Sequence, residues 1–171
     1  EKLLRLIAGM HIEEIQEMGQ RVYRRAIGKK IFCEAIELIE KEREYGREVV
    51  LATTSLDCAV EPLAEYLGID QIISTELELK DGYVTGRFSG FPAFGTGKHH
   101  KTMQYLDASS ADPAECSFYS DSYYDLPLLD RVGAPAAVNP DRRLKREAER
   151  RGWPVYRFTR TLGQNGPERR S

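Results

Sequence analysis

The sequence has no long apolar run and almost no net charge. None of its apolar stretches approaches the roughly 20 residues that a helix needs to cross a bilayer, which excludes a membrane span. Lys and Arg number 25 against 27 Asp and Glu, and the net charge of −2 gives no general attraction to nucleic acid or acidic lipid. We therefore expect no nucleic-acid or membrane partner, and an anionic ligand would need a local binding site.

Cysteine is also scarce. Cys33, Cys58 and Cys116 are odd in number and widely spaced, which fits neither a disulfide framework nor a CxxC zinc pair. This usage is typical of a reducing compartment, so we expect a cytoplasmic protein. The basic run from Arg142 to Arg151 is interleaved with two glutamates, a pattern more typical of a solvated helix face than of a nucleic-acid patch.

Helical periodicity is present from the first residue. The chain opens EKLLRLIAGM, without an initial Met and already inside a helical pattern, and we expect that this end has been cut. Apolar residues recur at helical spacing to about residue 27, and Gly9 separates two short helices. Residues 1–28 are therefore predicted to form a small helical segment.

Beyond residue 28, short apolar runs alternate with helical patterns, as in a parallel sheet covered by helices. The predicted strands are EVVLA, QIIS, CSFYS, APAAVN and PVYRF, and a β-hairpin is predicted around Asp81 and Gly82. The sequence thus predicts an α/β fold with a core at residues 29–160. The polar residues 161–171 are predicted to be a disordered tail.

Polar residues follow several of these predicted strands. In open parallel sheets ligands bind at the carboxyl ends of strands, which selects Thr53 and Thr54, the pair Asp121 and Asp125, and the turn at residues 138–140. Asp121 at a strand end and Asp125 in the following helical turn could face one crevice and bind Mg²⁺ with their carboxylates. The alternative for both aspartates is helix capping.

Hydroxyl and ammonium groups could serve the same anion. Thr53 and Thr54 could bind a phosphate at a helix entrance, although capping is the favoured interpretation of these two taken alone. Lys98 follows the turn FGTG and could reach an anion, although a lone lysine there is typically solvent-exposed. Gly97-Lys98 is not a phosphate loop, because Pro92 occupies the required first glycine position.

The order of these residues is more informative than any one of them. A hydroxyl, a lysine and an aspartate pair, each at a predicted strand end or loop, could stabilise charge on a transferring phosphoryl group. Thr53 in VVLATTS, Lys98 in FGTGKHHKTMQYL, and Asp121 and Asp125 in YSDSYYDLPLL resemble the second, third and fourth motifs of the haloacid dehalogenase (HAD) superfamily. The resemblance is to the phosphoserine-phosphatase-like branch, subfamily IB.

This resemblance runs from about Lys30 to Phe158 and includes the hairpin segment STELELKDGYVTGRFSG and the segment VNPDRRLKREAERRGWPV. It implies a Rossmann-like parallel sheet with flanking helices, a β-hairpin and a small helical cap, of which residues 1–28 would be a remnant. It also implies hydrolysis of a small phosphorylated metabolite through a phosphoaspartyl intermediate, with one Mg²⁺ ion.

Site residues are implied by the same motifs. Thr53 and Lys98 would be catalytic, since the hydroxyl would bind phosphoryl oxygens and the ammonium would offset the charge of nucleophile and phosphate. Asp125 would support the metal shell or orient Lys98. The resemblance assigns phosphate contacts to Thr53, Thr54, Lys98 and Ser122, and metal ligands to Asp121 and Asp125.

Two features depart from the family pattern. Tyr124 stands where the family often has Asn, and the first motif, D-x-D-x-T, does not occur in the 171 residues. That motif supplies the nucleophile on the central first strand. We therefore expect the nucleophile to lie outside this chain, the chain alone to be inactive, and the site to need pairing with a missing N-terminal segment or self-association.

Two other functions are open at this point. The first is a truncated or degenerate HAD domain that binds phosphate or a partner without catalysis, which Tyr124 and the missing motif favour. The second is a receiver-like signalling domain, which also places an acidic cluster, a threonine and a lysine around a phosphoaspartate. The predicted hairpin and the late position of the aspartate pair argue against the receiver.

Overall fold

The computed structural model of the protein describes residues 2–165. Their α-helices and β-strands follow one another in this order: α1 Lys2–Ile7, α2 Ile12–Val22, α3 Cys33–Glu44, β1 Val50–Leu56, α4 Asp57–Leu67, β2 Gln71–Thr75, β3 Leu77–Lys80, β4 Tyr83–Phe88, α5 Gly97–Ala108, β5 Ser117–Ser120, α6 Leu126–Leu129, β6 Ala134–Val138, α7 Arg142–Arg151, β7 Val155–Tyr156 and α8 Leu162–Asn165. A π-helical turn, Tyr23–Ile27, continues α2. No helix in this part of the chain is long and apolar enough to cross a bilayer.

These elements form two compact units. The first contains the described residues up to Lys98 and those from Arg160 onward, and the second is His99–Thr159. Each unit contains parallel strands with helices, which confirms the predicted α/β fold class. The units do not coincide with the predicted division at residue 28, and the assignment of 1–28 to a cap remnant and of 29–160 to a core stays a prediction.

In the first unit, β1 and β2 pair in parallel and β3 and β4 form the predicted hairpin. Asp81 and Gly82 both have positive φ, 52° and 82°, the backbone geometry that a two-residue hairpin turn needs. The segment between α1 and α2 pairs with β4, since Gly9 N–H donates to Val84 O at 2.8 Å. One apolar core therefore joins the helical segment to the hairpin and α4: Leu4, Ile7, Ile15, Cys58, Leu77 and Val84.

The described part of the predicted tail contains one β-bridge and the short helix α8. Thr161 forms a β-bridge with Phe32, and the N–H of Leu162, the first residue of α8, donates to Ile31 O at 2.9 Å. The backbone of Thr161 and Leu162 is thus paired with the segment before α3, and the assignment of residues 161–171 to a disordered tail stays a prediction. The rest of that predicted tail, residues 166–171, lies outside the described residues.

The second unit is built on the parallel sheet β5-β6-β7. Helix α7 packs Leu144 and Ala148 into its core beside Leu129 and Ala137, and leaves most of its charged side chains at the surface. This arrangement confirms the predicted solvated helix face. The helix ends at Gly152, whose φ of 70° is in the left-handed region that glycine adopts readily.

Candidate active site

Strand β1 is irregular where the sequence places its candidate phosphate-binding hydroxyls. Regular pairing with β2 ends at Ala52 and resumes at Leu56, which lies opposite Thr75. Residues 53–55 therefore bulge from the sheet. The prediction that the strand ends before Thr53 is wrong, because β1 continues to Leu56 beyond this polar interruption. Thr53 is half-buried and Thr54 is exposed.

The hydroxyl of Thr53 keeps a proton that it can donate. Its Oγ1 accepts a hydrogen bond from Ser55 N–H at 3.2 Å, which leaves the O–H available for an acceptor such as a phosphoryl oxygen. Neither Thr53 nor Thr54 caps α4, because the N-cap position of that helix is Leu56. The capping alternative is therefore wrong for these two threonines.

Lys98 is the second residue of α5 and is half-buried rather than fully exposed. The preceding loop is closely packed at two points, since Ala93 is completely buried and a Cβ atom at Gly97 would collide with the carbonyl oxygen of Pro92. Glycine is thus required immediately before the lysine by close packing. The loop therefore fixes where α5 begins and, with it, the position of Lys98.

Asp121 and Asp125 lie in the loop after β5, in different environments. The Asp121 side chain is exposed and has no hydrogen-bond or ion-pair partner among residues 2–165. Asp125 is only 7% exposed, and its Oδ2 accepts a hydrogen bond from Ser120 Oγ at 2.6 Å. Asp125 occupies the N-cap position of α6 without making a side-chain cap, so the capping alternative is wrong for it. One carboxylate is held in place and the other is open.

Ser122 and Tyr124 lie between these aspartates. Ser122 Oγ accepts from Tyr124 N–H at 3.3 Å and caps the short 3-10 turn that contains Asp125. The side chain of Tyr124 is 79% exposed. The residue that replaces the family's Asn therefore faces solvent.

Asp141 holds this loop and was not identified from the sequence as a site residue. Its Oδ2 accepts from Tyr123 N–H at 2.7 Å, and its Oδ1 accepts from the first N–H groups of α7. Its own N–H donates to Asp121 O at 2.8 Å. An Asn-Pro-Asp sequence before a helical pattern is an N-cap signal, but nothing in it indicates the contact with residues 121–123.

The environment of Asp141 also determines its charge. Desolvation raises the pKa of this carboxyl, but the hydrogen bonds from the N–H groups of Tyr123, Leu144 and Arg143 outweigh it, with a smaller contribution from the Arg143 charge. The pKa of Asp141 is therefore lower than its ordinary value. The carboxylate is ionised at neutral pH, as a bridge between N–H donors requires.

Two carboxylates on one loop are a donor set that Mg²⁺ can use. No group of three or more His, Cys, Asp or Glu side chains within the described residues could hold a metal ion. Zinc sites need three or four such ligands, whereas Mg²⁺ keeps several waters and uses one or two carboxylates with a substrate phosphate. An open Asp121 and an anchored Asp125 fit the second pattern.

The predicted site residues fall into two groups. Thr53, Thr54 and Lys98 belong to the first unit, and Asp121, Ser122 and Asp125 belong to the second. Lys98 lies at the start of a helix. Each of the other residues lies in the irregular segment that follows the paired residues of a strand.

A family model for haloacid dehalogenase-like hydrolases matches residues 1–130. The chain belongs to this family. It is 38% identical over 158 residues to the inhibition of morphological differentiation protein of Streptomyces azureus, covering 92% of this chain and 57% of that protein. It is 34% identical to phosphoserine phosphatase SerB1 of Mycobacterium tuberculosis, covering 92% and 51%. It is 37% identical to a histidinol-phosphatase of Neisseria meningitidis, covering 71% and 56%.

Solved structures share the fold. A protein of unknown function from Bordetella pertussis superposes with a TM-score of 0.82 at 32% identity, covering 90% of this chain and 70% of that one. A probable phosphoserine phosphatase from Vibrio cholerae superposes with a TM-score of 0.69 at 18% identity, covering 94% and 46%. The chain spans about half the length of the curated relatives it matches.

Proposed function

We propose that the protein containing this chain is a Mg²⁺-dependent phosphomonoester hydrolase that acts through a phosphoaspartyl intermediate in the cytoplasm. The observation that carries the proposal is the carboxylate pair after β5, in which Asp125 is fixed by Ser120 and Asp121 is left open. Family membership and the names of two relatives, a phosphoserine phosphatase and a histidinol-phosphatase, support phosphate esters as substrates. Three free cysteines support a reducing compartment.

Each side chain has a role that its chemistry allows. The Thr53 hydroxyl donates to a phosphoryl oxygen, with help from the backbone of Thr54 and from Ser122. Lys98 places positive charge between an attacking carboxylate and the phosphate, which would otherwise repel each other. Asp121 binds Mg²⁺ and Asp125 supports that ligand. When bound, the metal ion offsets the charge that develops on the phosphoryl group.

The nucleophile is proposed to be an aspartate outside these 171 residues, because no D-x-D-x-T sequence occurs in them. The partner that completes the site is then an N-terminal segment of the same gene product or a second copy. The substrate is a small phosphorylated metabolite. Phosphoserine and histidinol phosphate are the first esters to test, since the names of two relatives contain them.

The test is release of inorganic phosphate by the whole gene product from a panel of small phosphate monoesters, with Mg²⁺ and with a chelator. We expect at least one ester to be hydrolysed only with Mg²⁺, and a Thr53→Val variant to lose most of that activity. Thr85→Val is the matched control, because the Thr85 hydroxyl bonds to Glu78 within the hairpin. Phosphate binding without hydrolysis of any ester would contradict the proposal and support a non-catalytic domain.

A further inference from the structure

Thr75 lies at the end of β2 and is not itself one of the site residues that the sequence motifs select. It is 1% exposed, and its hydroxyl makes two hydrogen bonds to backbone groups of different segments. Thr75 Oγ1 donates to Thr54 O at 3.1 Å and accepts from Ala93 N–H at 2.9 Å. A single side-chain oxygen thus joins the bulge of β1 to the loop that precedes Lys98.

Neither of the two joined segments is held by regular helix or strand hydrogen bonding. The bulge at residues 53–55 has left the β1-β2 ladder, and the loop from Ser89 to Thr96 contains neither helix nor strand. A buried hydroxyl can donate and accept at once, so Thr75 bonds to one backbone carbonyl and one backbone N–H together. Valine has the same shape but can do neither. Thr54 O would then lose this partner, and the N–H of the buried Ala93 would lose its acceptor.

We propose that Thr75 is a positioning residue for the phosphate-binding half of the site. This inference rests on the proposed function. Thr75 fixes the backbone of Thr54 relative to the loop that precedes Lys98 and α5. Through Thr54 it also fixes the position of the neighbouring Thr53 hydroxyl. Thr75 itself touches no substrate. It acts by keeping the hydroxyl donor and the ammonium group at a constant separation, which a phosphoryl group bound by both requires.

The hydrogen-bond pattern predicts how substitutions differ. Thr75→Ser keeps the hydroxyl and both bonds and loses one methyl group. Thr75→Val keeps the volume and loses both bonds. A residue that only filled space would tolerate Val better than Ser, whereas a positioning residue requires the reverse order.

The experiment compares the whole gene product with its Thr75→Val and Thr75→Ser variants in Mg²⁺-dependent ester hydrolysis and in binding of inorganic phosphate. We expect Thr75→Val to lower kcat/KM and to weaken phosphate binding by about 10- to 100-fold, the range that small misplacements of binding groups cause. Thr75→Ser should stay within about threefold of the wild type in both. Thr85→Val, which removes a hydroxyl of the hairpin, should leave both quantities unchanged.

Amide hydrogen exchange at Ala93 provides a readout that does not depend on activity. Thr75→Val should exchange this amide faster than the wild type, and Thr75→Ser should not. Wild-type phosphate affinity and kcat/KM in a folded Thr75→Val variant would overturn the inference while leaving the proposed function intact. A wild-type protein that neither binds phosphate nor hydrolyses any ester would overturn both.

Discussion

The carboxylate of Asp141 accepts a hydrogen bond from the backbone N–H of Tyr123 at 2.7 Å while its other oxygen caps α7. One residue therefore fixes both the start of a helix and the loop that contains Asp121. These contacts are local to the second unit and are made entirely with backbone N–H groups. The loop therefore depends on the charge and reach of Asp141 in addition to the bonds that Ser120 and Ser122 make within it.

Two substitutions of Asp141 should destabilise the fold to different degrees. Asp141→Ala removes the acceptors of three N–H groups, and we expect the free energy of unfolding to fall by about 1–2 kcal/mol, the usual range for a lost N-cap. Asp141→Asn can keep the Oδ1 cap but presents an NH₂ group to Tyr123 N–H, so its loss should be intermediate. Urea denaturation measures both, and an Ala variant as stable as the wild type would contradict this account.

The same residue predicts a pH dependence. Because the folded-state pKa of Asp141 is lowered from its ordinary value of 3.8, the folded state binds its proton less readily than the unfolded state. Its contribution to stability is therefore present above about pH 4 and is lost as the pH falls through the folded-state pKa. Between about pH 5 and pH 3, the free energy of unfolding of Asp141→Asn should fall less than that of the wild type. Parallel plots of this free energy against pH for the two proteins would be evidence against a stabilising role of the Asp141 charge.

Thr102 in α5 is an unfavourable feature of the core. It is 9% exposed, and its Oγ1 has no hydrogen-bond partner among the described residues. Burying an unpaired hydroxyl costs about 1–3 kcal/mol, so Thr102→Val should raise the free energy of unfolding by about 1 kcal/mol. Thr102→Ser keeps the hydroxyl and loses a methyl contact, and it should lower stability. The prediction is wrong if Val is the more damaging of the two substitutions in thermal denaturation.

Features encoded by short stretches could be predicted from the sequence. The turn at Asp81 and Gly82 and the charged face of α7 each depend on a few adjacent residues whose conformational preferences agree with the final fold. The Thr and Asp motifs could be located because each follows a recognisable apolar run, and Lys98 because it follows a glycine-containing turn that leads into a helical pattern. The motifs also carried the family resemblance, which the family model confirms.

Contacts between distant segments could not be predicted. Nothing near Thr75 indicates that its hydroxyl meets the backbone of Thr54 and Ala93, and nothing near residue 161 indicates a bridge to Phe32. The Ser120 to Asp125 bond, which separates a held carboxylate from an open one, also requires the loop geometry to be known. These contacts join residues that are brought together only by the tertiary fold, and sequence periodicity does not predict them.

The open carboxylate of Asp121 is the proposed Mg²⁺ ligand of the phosphatase site. The most direct test is a Mg²⁺ titration of phosphate release by the whole gene product, comparing the wild type with Asp121→Asn and with Asp107→Asn, an exposed aspartate on α5. We predict that Asp121→Asn lowers kcat/KM by about 100-fold or more and shifts activation to higher Mg²⁺, while Asp107→Asn matches the wild type. An Asp121→Asn variant with wild-type activity and wild-type Mg²⁺ activation would contradict the account.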